Sequence, residues 1–259
     1  MPDADKRMTA RRSPRAHQSQ VFHLKEIVKR RAGHYSFVLE VPQLTVRRGE
    51  KLALVGISGC GKSTLLDVLA MVLRPDEGVM FAFQPGPEDH VDVIEAWKSK
   101  NLDLLARARM HHMGYVLQTG GLLPFLSVWE NINLCRRALG MPHDDVVEIL
   151  AERLGIQHHL KKLPGQLSVG ERQRVAIARA MAHGPSVVMA DEPTASLDPL
   201  NAAEIMTLFM ELADEKHVTL IVATHDWEQV ANLGFRRVEF DLTRNSTENA
   251  VRATVCGQT

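Results

Sequence analysis

Short, almost wholly apolar runs alternate along this chain with longer stretches of helical period. Leu52–Ile57, Ser186–Ala190 and Val218–Ala223 have strand length and lack a polar face, the pattern of strands buried on both sides. Between them, Leu65, Leu66, Leu69 and Val72 repeat at helical spacing, which predicts a helix over Lys62–Leu73 that closes at Arg74-Pro75-Asp76-Glu77-Gly78. Asn101–His112 and Leu200–Lys216 also read as helices. Val128 to about Leu163 is mostly helical, with breaks at Gly140-Met141-Pro142, Gly155 and Pro164-Gly165. Ser168, three residues before Glu171, has capping-box spacing and opens a further helix that ends at Gly184-Pro185. Val21–Val28, Phe37–Val46, Glu50–Val55 and Gly114–Leu117 read as strands, and Met80–Lys100 as irregular. Two-sided apolar strands alternating with helices predict an α/β fold whose parallel sheet is covered on both faces, with an inserted helical segment.

Composition narrows the class. At 259 residues, 45% hydrophobic and 24% charged, the chain is neither collagen-like nor wholly disordered, and three cysteines exclude a disulfide scaffold. Cys60, Cys135 and Cys256 have no metal-binding spacing and suit a reducing compartment. No window has the roughly 18 apolar residues that a membrane span needs, and Arg11-Arg12 leads into Ser13-Pro14 instead of an apolar signal core. A cytoplasmic location is therefore expected, with any membrane role arriving through a partner. The zero net charge conceals an asymmetry, since residues 1–31 hold nine Lys/Arg against three acids. Such an arm touches anionic lipid or nucleic acid in some proteins, but a solvated tail over residues 1–19 is the favoured reading. Residues 243–259 read as a polar tail and residues 20–242 as the folded domain.

Chemistry concentrates first at Gly56-Ile57-Ser58-Gly59-Cys60-Gly61-Lys62-Ser63-Thr64, between a strand and a helix. Glycines at this spacing allow a loop tight enough for successive backbone N–H groups to converge on phosphate oxygens, and the helix adds its positive end. Lys62 supplies a cation for the outer phosphates and Ser63 a hydroxyl for Mg²⁺. Cys60, beside Lys62 at a helix start, is expected to have a lowered thiol pKa, although filling space in the loop is its favoured role. Val187–Ala190 ends in Asp191-Glu192-Pro193. A strand end can aim two carboxylates into the crevice beside a phosphate loop, which makes Asp191 a direct or indirect partner of Mg²⁺ and Glu192 a general base or water-positioning group. The helix that opens at Ser168 and Gly170 offers a hydroxyl, unshielded N–H groups and a positive end, a second anion site.

Leu167-Ser168-Val169-Gly170-Glu171-Arg172-Gln173-Arg174-Val175-Ala176-Ile177-Ala178-Arg179-Ala180 closely resembles the signature sequence of ATP-binding cassette proteins, with Val169 in place of a glycine and Glu171 in place of the usual glutamine. The resemblance extends from about residue 21 to 240. It implies a phosphate-loop NTPase core with a parallel sheet, an amino-terminal antiparallel β subdomain and an inserted α-helical subdomain over about residues 119–183. It also implies roles for single residues. Gln118 is similar to the glutamine that contacts Mg²⁺ and water and senses a membrane partner. Asp198, in Ala195-Ser196-Leu197-Asp198, resembles the residue that orders the phosphate loop of a second copy. His225 resembles the switch histidine that contacts the γ-phosphate. The adenine-stacking aromatic of the family is missing where Lys29, Arg30 and Arg31 stand, and Tyr35 is the nearest substitute, with an arginine plane as the other means of stacking.

Gln118-Thr119-Gly120-Gly121-Leu122-Leu123-Pro124-Phe125-Leu126-Ser127-Val128-Trp129-Glu130-Asn131-Ile132 looks like the lipoprotein-release and macrolide-export branch. That resemblance implies an ATPase that binds ATP and Mg²⁺ and closes head to tail on a second copy. Ser168 and Gly170 of one copy would then face the γ-phosphate held by Lys62, Ser63, Gln118, Asp191, Glu192 and His225 of the other. The expected partner is an integral membrane permease or force-transmitting subunit at the inner face of the membrane, docked near Leu122–Val128, and no nucleic acid is expected. The rival is an ABC ATPase without a membrane partner, of the iron–sulfur assembly type. Repair-type ATPases are disfavoured because the chain has no heptad run or paired cysteines, and translation-type proteins because it has room for a single cassette.

Overall fold

The computed structural model describes residues 20–31, 36–245 and 250–256. The basic arm at 1–19 and Tyr35 fall outside these residues. One ten-stranded sheet organises the described chain. Its first part is antiparallel. Strands β1 (Gln20–Arg31) and β2 (Ser36–Arg47) pair along almost their full length, and β4 (Met80–Phe83) and β5 (Val91–Asp92) extend the β1 edge. The second part is parallel and runs in the order β9 (Arg236–Asn245), β3 (Lys51–Val55), β8 (Thr219–Thr224), β7 (Val187–Asp191), β6 (Met113–Val116). Strand β10 (Ala250–Cys256) joins the two parts, parallel to β2 and antiparallel to β9.

Helices cover both faces, as the apolar strands require. Successive strand residues point to opposite sides, and in β3, β7 and β8 both sides are core. Ala53, Val188, Ala190, Leu220 and Val222 pack with α5 (Val146–Arg153), α6 (Val169–Met181) and α7 (Pro199–Glu215). Their neighbours Leu52, Leu54, Val187, Met189 and Ile221 pack with α1 (Lys62–Leu69), α3 (Leu102–His112) and the antiparallel strands. Helix α4 (Val128–Ala138) packs on α6, while α2 (Val93–Lys98) lies against β4 and α8 (Glu228–Ala231) follows β8.

Three expectations are corrected. The polar tail expected from residue 243 holds the end of β9 and, over Ala250–Cys256, the strand β10, along which Val251, Ala253 and Val255 alternate inward. Met80–Lys100, expected to be irregular, holds β4, β5 and α2, whose strands of four and two residues are too short to show a period. Helix α1 stops at Leu69, four residues early, because Met71 turns into the left-handed region at φ 55° and the N–H groups of Val72 and Leu73 both fold back to Asp67 O.

The parallel register sets up the site. Val55 lies opposite Thr224, Asp191 opposite Ala223 and Val116 opposite Ala190. The loops that leave β3, β6, β7 and β8 therefore emerge at one edge, where ligands of parallel sheets bind.

Candidate active site

That edge holds a cleft of about 770 Å³ whose lining includes Ser58, Gly59, Gly61, Lys62, Ser63, Thr64, Gln118, Asp191 and Glu192. Steric demand explains the glycines of its loop. A Cβ on Gly56 would lie 2.6 Å from Cys60 Sγ, and Gly61 has φ 104° with the Phe37 ring 2.9 Å from where its Cβ would be. Gly61 caps α1 without a side-chain hydrogen bond, and no acidic residue stands in the first turn. The positive end of α1 is thus open to an anion. Cys60 is buried, and burial pushes its thiol pKa up against the opposing pull of Lys62, contrary to the lowered value expected. It fills space behind the loop.

Lys62 is 4% exposed, and its ammonium donates to Gly56 O at 2.7 Å and to Ile57 O at 3.2 Å. It also stands 3.4 Å from Glu192 Oε1. Burial raises the Asp191 carboxyl pKa above the usual carboxylate range, with neighbouring Ser63 and Lys62 opposing and Glu192 and Asp67 adding to the rise. Asp191 Oδ1 is buried and has no hydrogen-bond partner among the described residues. Glu192 turns sharply away from β7, with φ 45° and its N–H on Ala223 O at 2.9 Å. That turn brings its Oε2 to 3.4 Å from His225 Nδ1. Lys62, Ser63, Asp191, Glu192 and His225 therefore form one connected cluster, with Gln118 on the cleft wall.

Other expected residues lie elsewhere. Ser168 caps α6 reciprocally with Glu171: Glu171 N donates to Ser168 Oγ at 3.3 Å, and Ser168 N donates to the Glu171 carboxylate at 2.6 Å. Neither Ser168 nor Gly170 belongs to the cleft lining. Asp198 caps α7 through Asn201, whose side chain and N–H hold its carboxyl pKa low, and it too lies outside the lining. Phe37, Leu242, Arg244 and Val251, which the sequence did not single out, also line the cleft. Phe37 faces Arg31 across the β1–β2 ladder, so a ring and a guanidinium whose Nη1 reaches Thr64 Oγ1 at 3.4 Å stand together at the mouth.

The ABC transporter family profile matches residues 39–195. The chain is 40% identical over 205 residues to the lipoprotein-releasing system ATP-binding protein LolD of Idiomarina loihiensis, covering 78% of this chain and 85% of that one. It is 34% identical to the LolD of Rickettsia conorii over 211 residues, 78% of this chain and 89% of that one. The macrolide export ATP-binding/permease protein MacB 2 of Aeromonas hydrophila is 38% identical over 194 residues, which are 74% of this chain but 28% of that protein. Among solved structures, the dimeric post-hydrolysis state of the ATP-binding cassette MJ0796 bound to ADP and Pi superposes with a TM-score of 0.72 at 29% identity, covering 84% of this chain and 93% of that one.

Proposed function

The chain belongs to the ABC transporter family, as an ATP-binding and ATP-hydrolysing subunit of the lipoprotein-release and macrolide-export branch, and from that premise we propose that ATP-driven closure and opening of two copies powers a membrane complex. One observation carries the reading. The catalytic cluster of Lys62, Ser63, Asp191, Glu192 and His225 is built within one copy, whereas the Ser168–Gly170 helix start lies outside its cleft. A second copy, placed head to tail, brings that helix start to the terminal phosphate.

In the proposed cycle the triphosphate takes over the Lys62 ammonium from Gly56 O and Ile57 O, and the N–H groups of the loop and α1 gather the phosphate oxygens. Glu192, freed from Lys62 and steadied by His225, orients the attacking water and accepts its proton. Ser168 and Gly170 of the second copy face the γ-phosphate, and Asp198 orders the opposing phosphate loop. Loss of the γ-phosphate removes the charge that holds the copies together, so each turnover is a grip and a release. The residues fit Mg²⁺: Ser63, Asp191 and Gln118 would hold it, and the unpartnered buried Oδ1 of Asp191 is an oxygen of the kind this hard cation takes. Bound there, Mg²⁺ would neutralise charge on the outer phosphates.

No helix among the described residues is long and apolar enough to cross a membrane. The proposed partner is a permease at the inner face of the membrane, docked beside Gln118. The Gln118–Ser127 loop suits that task because it is fastened from below. Asn131, fully buried, donates to Leu123 O, Leu126 O and Ser127 O and accepts from Leu123 N, and Arg179 donates to Gly120 O and Gly121 O. Phe125 projects from this frame, 73% exposed.

Phosphate release from ATP tests the reading. Glu192→Gln should lower turnover by about 10²–10⁴-fold while ATP still binds, and a variant that turns over at the wild-type rate would contradict it.

A further inference from the structure

Glu171 sets a problem for the second anion site. A glutamate in the first turn of α6 places a negative charge where the terminal phosphate of ATP is to be received, and like charges repel. Two contacts constrain it. One carboxylate oxygen accepts the Ser168 N–H at 2.6 Å. The other meets His159 Nε2 at 2.8 Å, with the two side chains 19% and 32% exposed. The first contact belongs to the cap. The second comes from another element.

His159 closes the 3₁₀ turn Gln157–His159. The turn is fixed at both ends, since His159 N donates to Ile156 O at 2.9 Å and Lys162 N to His159 O at 2.8 Å. The other ring nitrogen, Nδ1, is buried without a hydrogen-bond partner among the described residues. Nε2 is the ring nitrogen that this geometry turns to Glu171. Lys162 adds a positive charge near the carboxylate. The carboxylate is thereby drawn toward the Gln157–His159 turn.

We propose that His159 is a positioning residue for nucleotide-driven closure, which holds the Glu171 carboxylate to the side of the α6 start so that the Ser168 hydroxyl and the Gly170 N–H can receive the γ-phosphate of ATP bound to a second copy. The inference rests on the head-to-tail reading above. His159 touches no substrate. Its effect passes through Glu171, and it should vanish when Glu171 carries no charge.

The experiment uses the full chain in the hydrolysis-deficient Glu192→Gln form and reads the ATP concentration at which half the protein is dimeric by light scattering. His159→Ala should raise that concentration about tenfold, the size of effect expected from freeing one like charge beside a phosphate. In a Glu171→Gln background, His159→Ala should leave it unchanged, and His159→Arg should restore near-parental behaviour with Glu171 present. A role confined to folding would instead lower the thermal midpoint and shift closure equally in both backgrounds, which overturns the proposal, as does a His159→Ala variant that closes at the parental ATP concentration. If the Glu192→Gln parent never dimerises, the head-to-tail reading itself fails and this inference falls with it.

Discussion

The molecule has two helix starts of opposite construction. Helix α1 begins at Gly61 with no side-chain cap and no acid in its first turn. Helix α6 begins at Ser168 with a reciprocal cap and an acid, Glu171. Both ends carry the same partial positive charge. The first leaves its N–H groups open and adds Lys62 from within the same loop, so it can hold an anion unaided. The second has already used an N–H on its own serine and must keep a carboxylate turned aside. In the proposed cycle an open start binds the nucleotide and a capped start reads what another copy presents.

The sharpest way to break this contrast is at the open start. Lys62→Ala should weaken ATP binding about a hundredfold, since a charge-assisted contact at a desolvated site is lost, and a fluorescent-nucleotide titration measures it. At the capped start, Gly170→Asp should leave ATP binding by the single copy within about twofold, yet lower turnover by tenfold or more, because a second carboxylate meets the γ-phosphate. A Cβ there meets only Leu197 and Ile205, at 3.8 and 3.9 Å, so an unchanged melting curve should accompany the lost turnover. If Gly170→Asp instead weakens binding as much as Lys62→Ala does, the two starts are not distinct.

Smaller effects concern the frame between the two starts. Asn131→Ala removes four hydrogen bonds of the Gln118–Ser127 loop and should cost about 2 kcal/mol in denaturant unfolding. The smallest effect is expected at the far end of α6. Burial holds the pKa values of His183 and His112 below the ordinary histidine value, with neighbouring His111 adding to the depression. Below about pH 6.5 the unfolded chain therefore binds more protons than the folded one. Their contribution to stability is complete above that pH and is lost as pH falls from there through their lower folded-state values, so the melting temperature should decline with acid. His183→Gln should flatten that decline.

What the sequence revealed and concealed divides along the same line. The phosphate loop, Asp191, Glu192 and the Ser168 cap were legible because their chemistry is local: glycines at fixed spacing, carboxylates at a strand end, a serine three residues before a glutamate. Phe37 was not, because it reaches Gly61 through the register that pairs it with Arg31 across a hairpin. The His159–Glu171 contact was hidden for the same reason, being twelve residues apart in sequence and set by tertiary packing. Strand β9 was missed although Val238, Phe240 and Leu242 alternate, because Arg236, Arg237, Glu239 and Asp241 dominate its composition. The Cys60 thiol was misjudged by weighing its charged neighbour and ignoring burial, which is the larger influence.

Light scattering of the Glu192→Gln protein with excess ATP and Mg²⁺ tests the central claim most directly, since that claim is that a nucleotide site is completed only between two copies. The account predicts that the mass doubles with ATP, stays single with ADP, and stays single with ATP once Gly170→Asp is added. A Glu192→Gln protein that remains single with ATP bound, or one that pairs equally well with Gly170→Asp present, would contradict it.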